Sequence, residues 1–382
     1  MNETTQKNKF PDRVFAAIDL GAVRHNFEVM HALIPPGTKI CAVVKTNAYG
    51  HGAEMISRMM EKEDYIWGFA VATVGEALSL REAGIQKPVL ILGHVFAQDY
   101  KVLAAHKIRP EISTLAEALA MNEAAAAAGK VLYVHIAVDT GMSRIGFAPS
   151  EASLSQVEQI SALPSLRIEG IFTHFARADE TDKSCALEAF GRFSDFAGAL
   201  AKRGVSIPVH HCANSASILE LPGTHLNMVR ACITIYGIYP SDEVERNKDL
   251  MPVMQLKSHV AHVKTVPAGT PVSYGGTFVT QADTKIATIP VGYGDGYPRS
   301  LSNKGFVLIG GKKAPILGRV CMDQFMVDVT GLDVKVSDEV TLMGEDHGAF
   351  LGVDELGRLS GRFPYEFVCD ISARVPRVFT GM

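Results

Sequence analysis

Paired cysteines are missing from this sequence of 382 residues. Its six cysteines lie far apart, and none forms a C-x-x-C motif with another. This spacing indicates neither a zinc site nor a disulfide framework, so we expect no metal site and a reducing compartment, the cytoplasm.

An excess of basic residues is missing too. Lysine and arginine together number 37, aspartate and glutamate 41, and the net charge is −4. Because nucleic acids and anionic membrane surfaces are bound by basic patches, this balance predicts neither partner. The composition favours a small molecule as the partner.

Long apolar runs are also absent from the sequence. None approaches the roughly 20 residues that a membrane-spanning helix needs. The N-terminal segment MNETTQKNKFPDR is polar and has neither an apolar core nor a small-residue cleavage pattern. It does not resemble a secretion signal, which agrees with the expected cytoplasmic localisation.

Hydrophobic residues make up 47% of the sequence, enough for a sizeable core, and the length suggests two domains. Up to residue 239, apolar strand candidates alternate with helical stretches. Continuously apolar strands need helices over their outer faces, so the alternation predicts an α/β fold with an N-terminal (β/α)8 TIM-like barrel. A doubly wound open sheet is the alternative. The strand candidates are residues 40–44, 66–71, 89–92, 109–112, 131–138, 168–173, 207–211 and 226–229.

The pattern changes after residue 239. Residues 240–252 are charged and bounded by prolines, which is typical of a linker. Short β-rich runs follow, with one helical stretch at 353–359, and predict a smaller, mainly-β domain. We therefore assign residues 1–240 to the barrel and 241–382 to the C-terminal domain. The strand candidates of the second domain are 256–266, 285–291, 314–320, 325–329 and 339–343.

The segment AVVKTNAYGHG, residues 42–52, ends an apolar strand with Lys45. Most lysines at such positions only carry charge into solvent, but an amine in apolar surroundings can attack an aldehyde. In parallel barrels the chemistry collects at the carboxyl ends of the strands. Polar groups follow several of the predicted strands: Lys45, 139–144, His174, Asn214, Ser215 and Arg230.

VVKTNAYGHG resembles the cofactor-lysine segment of the alanine racemases, which carry pyridoxal 5'-phosphate on that lysine. The segments DTGMSRIGF, PVSYGGTF and PYEFVCDISARVPR match the family as well, so the resemblance covers nearly the whole chain. It implies racemisation of L-alanine and D-alanine, with D-alanine supplied for peptidoglycan. In the family the N-terminal strand joins the second domain, so residues 1–20 are left open between the two domains.

Donors for the cofactor phosphate are expected after the seventh and eighth strands, where such barrels bind phosphate. Ser215 and the backbone of Cys232 and Ile233 fall there. An ordinary helix cap is the alternative for Ser215. The resemblance adds the hydroxyls of Tyr49 and Tyr365 to the phosphate site.

Arg230 is the residue that separates this chain from many users of the same cofactor. Arginine donates hydrogen bonds and keeps its proton, so it would leave the ring nitrogen neutral, whereas an acid would keep that nitrogen protonated. The resemblance implies that Arg230 holds the ring nitrogen and is steadied by His211. We also assign His174 to the cofactor site. A surface ion pair is the alternative for Arg230.

Inverting a Cα centre requires one group to take a proton from one face and another to deliver a proton to the other face. We expect Lys45 to serve one face. The resemblance assigns the other to Tyr274, contributed by the second subunit of a homodimer. A phenol needs positive charge nearby to act as a base at neutral pH, and we expect His174 and Arg230 to supply it.

The carboxylate of a small amino-acid substrate needs a fork of donors, which Arg144 offers. The resemblance adds the backbone N–H of Met322. It also places five residues in an access corridor, although each could equally be a solvated polar residue: Asp179, Tyr293, Asp295, Arg299 and Arg319.

Four positions depart from the family pattern, and one of them is Ser143, which replaces a common glycine. Many members have a carbamylated lysine that orients the carboxylate-binding arginine, but here the position is Ala137. Arg144 must find another counter-charge, or a bound anion such as chloride must replace it. Ala231 and Cys232 stand where the family often has proline and glycine, which puts a side chain near the phosphate.

Three other functions are alternatives. A racemase of another small amino acid, such as serine, would have the same residues. A related barrel decarboxylase acting on ornithine or diaminopimelate would pair the ring nitrogen with an acid and use a cysteine of the β domain, whereas this chain has Arg230 and Tyr274. A non-catalytic carrier of the cofactor would have no use for a second domain.

Overall fold

The computed structural model describes residues 13–381, which fall into two compact units. The barrel unit comprises Val23–Ala48 and Gly52–Met251. The β unit comprises the described residues up to Ala22, the short segment Tyr49–His51, and the chain from Pro252 onward. Residues 241–251, which we assigned to the second domain from the sequence, thus cluster with the barrel.

The described chain starts with strand β1 (Val14–Asp19), which leads directly into helix α1 (Leu20–Ala32). β1 lies in the β unit, where it pairs with two strands of the second half of the chain. The eight strands of the barrel are β2 (Lys39–Val43), β3 (Ile66–Val71), β4 (Val89–Ile91), β5 (Ile108–Ile112), β6 (Leu132–Ala137), β7 (Leu166–Phe172), β8 (Val209–His211) and β9 (Met228–Ala231).

All neighbouring strands of the barrel unit run parallel, and each strand from β2 to β7 pairs with the next one along the chain. β9 returns to pair with β2, from Lys39 opposite Met228 to Ala42 opposite Ala231. An open doubly wound sheet would keep two free edges, so this pairing confirms the predicted TIM-like barrel.

Short contacts close the remaining gap between β8 and β9. The backbone N–H of Arg230 donates to the carbonyl of Ala213 at 2.9 Å. The side chain of Asn227 accepts from the His210 N–H and donates to the Pro208 carbonyl, both at 2.7 Å. These bonds satisfy backbone groups that would otherwise lie at an unpaired edge.

Helices cover the outer face of the barrel, so most residues of its strands are buried. Two of them, α4 (Val74–Glu82) and α6 (Leu115–Ala127), begin with reciprocal capping boxes, formed by Thr73 with Glu76 and by Thr114 with Glu117. After α1, the helices up to residue 251 are α2 (Lys45–Tyr49), α3 (Ala53–Met60), α4 (Val74–Glu82), α5 (Tyr100–Ala105), α6 (Leu115–Ala127), α7 (Glu151–Ser161), α8 (Ser184–Lys202) and α9 (Ser215–Glu220).

The β unit is built on a mostly antiparallel sheet, in agreement with the prediction of a smaller, mainly-β domain. Its further strands are β10 (Met254–His259), β11 (His262–Val266), β12 (Pro271–Val272), β13 (Phe278–Val279), β14 (Thr284–Ile289), β15 (Phe306–Ile309), β16 (Lys312–Leu317), β17 (Phe325–Asp328), β18 (Glu339–Asp346), β19 (Ala349–Leu351) and β20 (Arg377–Thr380). Its helices in this part of the chain are α10 (Val353–Ser360) and α11 (Pro364–Cys369).

The large sheet of the β unit has the order β11-β14-β17-β16-β15-β18-β10-β1-β20, and β19 pairs with β18. The single strand predicted at 256–266 is wrong. The chain breaks at Val260, whose N–H donates to the Asp338 carbonyl, so that β10 pairs with β1 and β18 whereas β11 pairs with β14.

Within residues 13–381, no helix combines the length and the apolar character needed to cross a membrane.

Candidate active site

The carboxyl-terminal edge of the barrel brings together the polar residues predicted to follow its strands. Lys45 follows β2, His174 follows β7 and Ser215 follows β8, while Arg230 lies in β9. Because all barrel strands run parallel, these ends face the same side of the barrel. Arg230, Arg144 and Lys45 lie near enough to His174 to act electrostatically on its ring.

The chain leaves β2 through a left-handed turn, α2, that starts at Lys45. Thr46, Asn47, Ala48 and Tyr49 all have φ between 52° and 55°. Non-glycine residues pay roughly 1–2 kcal/mol each for this conformation, so neighbouring contacts must hold it. The Ala48 N–H donates to the Val44 carbonyl at 2.8 Å, which closes the turn on the end of the strand.

Glu76 is the second support of this turn. Its carboxylate accepts hydrogen bonds from the backbone N–H groups of Thr46 at 2.5 Å, Ala72 at 2.8 Å and Thr73 at 3.2 Å. One carboxylate thus caps α4 and ties it to the residue after Lys45. We did not predict this role, although the T-x-x-E spacing of Thr73 and Glu76 is a readable capping signal.

Arg230 is only 3% exposed. One terminal nitrogen donates to Nδ1 of His211 at 3.0 Å and to the carbonyl of the same residue at 3.2 Å. The other donates to the carbonyls of Thr173 and Cys212 and to Nδ1 of His174, at 2.9, 3.0 and 3.1 Å. All five acceptors are uncharged, so the alternative of a surface ion pair is wrong.

The ring of His174 is neutral at neutral pH. Burial and the positive charges of Arg230, Arg144 and Lys45 lower the pKa of His174 to about 3. Our expectation that His174 supplies positive charge to Tyr274 is therefore wrong. Its Nδ1 is an acceptor for Arg230, which is the role of an uncharged imidazole.

Arg144 is exposed and is presented by a turn that Asp139 organises. One oxygen of Asp139 accepts from the N–H groups of Gly141 and Ser143, both at 3.0 Å. Ser143 has φ 56°, which explains why glycine is a common residue at this point of the family pattern. With Lys45 and Arg230, Arg144 gives this edge of the barrel three cations, a setting that suits an anionic ligand.

Ser215 does not cap helix α9. The cap is Asn214, whose side chain accepts from the Ser217 N–H at 3.1 Å. The buried hydroxyl of Ser215 accepts from the backbone N–H of Cys232 at 3.0 Å and lies 2.9 Å from the hydroxyl of Thr234. The structure thus joins two of the three predicted phosphate donors, Ser215 and Cys232, and the third, Ile233, is the next residue in the chain.

In the β unit, the structure brings together the two tyrosines assigned to the phosphate. The rings of Tyr49 and Tyr365 meet edge to face, with centroids 5.9 Å apart. Tyr365 also stacks on Phe363 at 4.4 Å. These residues are 316 positions apart in the sequence, so their contact is a non-local result of the fold.

Tyr274 and Met322 lie on loops of the β unit that hydrogen bonds connect. Tyr274 is 71% exposed and Met322 is 53% exposed. The hydroxyl of Ser273 donates to the Arg319 carbonyl at 2.7 Å and lies 3.4 Å from the sulfur of Cys321, the residue before Met322. The structure therefore places the second predicted base beside a segment assigned to the substrate carboxylate.

Asp295, which we placed in the access corridor, is a buried structural residue of the β unit. It is 1% exposed and pairs with Arg13 at 2.6 Å and with Arg374 at 3.2 Å. It also accepts from the Gly292 N–H at 3.0 Å. Asp295 is thus not a solvated corridor residue, whereas the neighbouring Tyr293 is 43% exposed.

The residues of the barrel edge fit pyridoxal phosphate. The group carries an aldehyde for an amine, a phosphate for cations and N–H or hydroxyl donors, and a ring nitrogen that accepts a hydrogen bond. Lys45 offers the amine, and Ser215 and Cys232 lie at the expected phosphate corner. Arg230, held by uncharged acceptors, suits a neutral ring nitrogen.

Known proteins resemble this chain over nearly its whole length. Residues 18–240 match the family model of the alanine racemase N-terminal domain, and residues 253–379 match that of the alanine racemase C-terminal domain. An alanine racemase from Methanococcus maripaludis is 43% identical over 368 residues, which cover 96% of this chain and 98% of the relative.

Solved structures agree with the sequence relatives. The structure of an alanine racemase from Clostridium difficile 630 superposes with a TM-score of 0.94 at 38% identity, covering 98% of this chain and 97% of the other. An alanine racemase from Bartonella henselae, described as carrying covalently bound pyridoxal phosphate, superposes with a TM-score of 0.86 at 28% identity. The latter match covers 97% of this chain and 100% of the other.

Proposed function

The chain belongs to the alanine racemase family, a family of isomerases, and from this premise we propose that it interconverts L-alanine and D-alanine with pyridoxal phosphate. The observation that carries the cofactor assignment is the setting of Arg230. A buried guanidinium whose terminal nitrogens touch only uncharged acceptors suits a ring nitrogen without a proton. An acidic partner, which the rival decarboxylases use, is replaced here by a residue that cannot accept a proton.

When bound, pyridoxal phosphate supplies a ring that withdraws electrons from the Cα–H bond of an attached amino acid. Lys45 would attach the group through its side-chain nitrogen. Arg230 would donate to the ring nitrogen and keep that atom neutral. Ser215 and the N–H groups of Cys232 and Ile233 would bind the phosphate, together with the hydroxyls of Tyr49 and Tyr365.

Proton transfer is assigned to two groups that act on opposite faces of the substrate. Once released, the amine of Lys45 takes or delivers the proton on one face, and the phenol of Tyr274 does so on the other. Arg144 and the backbone N–H of Met322 hold the carboxylate, which fixes the orientation of Cα. Arg230 is the source of positive charge that we propose for Tyr274, because His174 is neutral.

We propose that the active unit is a homodimer in which Tyr274 serves the site of the other subunit. The 71% exposure of this side chain in the single chain supports an arrangement in which it contacts a second copy. We also propose that the D-alanine is used for peptidoglycan and that the protein is located in the cytoplasm.

The activity is tested by incubating the cofactor-loaded protein with L-alanine. We expect the optical rotation to fall to zero without release of carbon dioxide, since the bond that breaks is Cα–H. Release of carbon dioxide would support the barrel decarboxylase instead. A panel of amino acids including serine, ornithine and diaminopimelate then determines the side-chain preference.

The replacement of the family lysine by Ala137 predicts how activity responds to small anions. Ala137 is 2% exposed and its carbonyl accepts from the Phe147 N–H at 2.8 Å, so it adjoins the end of the loop that carries Arg144. A methyl side chain cannot be carbamylated. We expect turnover to be independent of bicarbonate and to change with chloride, which can occupy the place of the missing anion.

The measurement compares initial rates in degassed buffer, with bicarbonate, and with chloride against acetate at constant ionic strength. Acetate is the control for screening, which all salts share. A requirement for bicarbonate would contradict the prediction.

A further inference from the structure

A chain of hydrogen-bonded side chains crosses the barrel interior below Arg230. Nδ1 of His211 contacts Arg230 at 3.0 Å, and Nε2 of His211 lies 2.9 Å from Nδ1 of His135. Nε2 of His135 lies 3.4 Å from Glu169, which accepts from Arg109 at 2.7 and 3.2 Å. We call these five residues the buried polar chain.

The buried polar chain leads away from the candidate active site. Both histidine rings are wholly buried, whereas the side chains of Arg109 and Glu169 are 15% and 17% exposed. Arg109 is the second residue of β5, toward the amino-terminal edge of the barrel. Its guanidinium also lies over the rings of Trp67 and Tyr133, at 5.9 and 5.5 Å from their centroids. The outer end of the chain is thus fixed by an ion pair and by aromatic contacts.

Donor and acceptor chemistry assigns every proton of the buried polar chain. Arginine only donates, so Nδ1 of His211 must be unprotonated, and the proton of the neutral His211 ring lies on Nε2. Nδ1 of His135 must accept that proton's hydrogen bond, which leaves the proton of His135 on Nε2, aimed at Glu169. A single tautomer of each histidine satisfies all contacts.

The ionisation states agree with this assignment. Burial lowers the pKa of His135 and of His211, so both rings are neutral. Burial alone would raise the pKa of Glu169, but hydrogen bonds from His135 and Arg109, with their charges, lower it to about 2. The chain therefore ends on a carboxylate that accepts from both neighbours.

Gly170 provides independent support for the placement of His135. The two residues are partners in the pairing of β6 with β7. A Cβ at Gly170 would lie 2.3 Å from Nδ1 of His135, much closer than real contacts allow. The absence of a side chain at Gly170 thus provides the space that the His135 ring needs to reach His211.

We propose that His135 and Glu169 are positioning residues for Arg230, because they lock His211 in the tautomer whose Nδ1 accepts from the guanidinium. In the opposite tautomer an N–H of His211 would face an N–H of Arg230 at 3.0 Å, and the guanidinium would turn away. This inference rests on the proposed function, in which Arg230 holds the ring nitrogen of the cofactor.

The test compares Glu169→Leu, which removes the acceptor of His135, with Glu169→Gln, whose amide oxygen can still accept. Nitrogen-15 spectra of histidine-labelled, cofactor-free protein identify the protonated nitrogen of each ring. We expect Nε2–H tautomers for His135 and His211 in the wild type and in Glu169→Gln, and mixed tautomers in Glu169→Leu. In the loaded enzyme, Glu169→Leu should lower kcat by about 10- to 100-fold, with a smaller change in KM.

Gly170→Ala disturbs the buried polar chain without removing any of its members. It provides a second test if Glu169→Leu does not fold. It should displace the His135 ring and mix the tautomer of His211, whereas Gly191→Ala, where a Cβ meets open space, should not. If His135 and His211 kept single Nε2–H tautomers in both Glu169→Leu and Gly170→Ala, the inference would be overturned. Locked tautomers in a wild type that does not racemise alanine would support the buried polar chain and overturn the proposed function.

Discussion

Lys45→Ala is expected to abolish covalent attachment of pyridoxal phosphate and to lower racemisation by more than about 10³-fold. The loss is large because one side chain has two roles, holding the cofactor and transferring a proton on one face. Lys45 is the residue at which β2 passes into the left-handed turn α2. Its backbone position is set by Ala48 and Glu76 rather than by its own side chain, so the variant should fold.

Two measurements check this prediction. Visible absorbance of the loaded protein reports attachment, and borohydride reduction followed by peptide mass analysis identifies the modified lysine. Lys39→Ala is the matched control, since Lys39 starts the same strand and its side-chain nitrogen donates to the Asp64 carbonyl at 2.9 Å. Retention of the absorbance by Lys45→Ala, or its loss in Lys39→Ala, would contradict the assignment.

The barrel could be predicted from the sequence because most of its strands are short, mainly apolar runs separated by helices. That pattern is local, and it requires only that each strand be covered on its outer face. The closure of the barrel is not local. It depends on the pairing of β9 with β2 and on the N–H of Arg230 reaching the Ala213 carbonyl, which no periodicity encodes.

The error in the β unit has the same origin. Residues 256–266 read as one strand, yet β10 and β11 have different partners and separate at Val260. Val260 is 2% exposed and apolar, so no glycine, proline or polar cluster marks the break. The change of partner follows from the sheet order, which the sequence does not reveal.

At the site, residue types were easier to predict than their environments. Lys45 and Arg230 could be named from motifs, but the left-handed turn after Lys45 could not, because residues 46–49 contain no glycine. The neutral state of His174 results from three cations that come together only in the fold. Glu169 and His135 were missed because neither belongs to a motif and their contact joins two strands.

Tyr274→Phe is expected to keep the cofactor absorbance and to lower racemisation by about 10²- to 10⁴-fold. The change removes one hydroxyl from an exposed ring, so folding should be unaffected. With Lys45 intact, one face of the substrate still exchanges its proton. The Cα hydrogen of one enantiomer should therefore exchange with deuterium oxide in the variant, whereas that of the other should not.

Proton NMR of L-alanine and of D-alanine incubated separately in deuterium oxide measures this asymmetry. Tyr65→Phe is the control, since Tyr65 stacks on His31 at 4.2 Å in the barrel unit, away from the assigned roles. Equal exchange of both enantiomers by Tyr274→Phe, with turnover retained in both directions, would show that another group is the second base.

The same variant tests whether Tyr274 acts in the other subunit. If each site combines Lys45 of one chain with Tyr274 of its partner, a mixed dimer of Lys45→Ala and Tyr274→Phe contains one intact site. Equal mixing at random makes half of the dimers mixed, so roughly a quarter of the wild-type activity should return. If both residues came from one chain, every site in the mixture would lack one of them, and activity would stay at the level of the single variants.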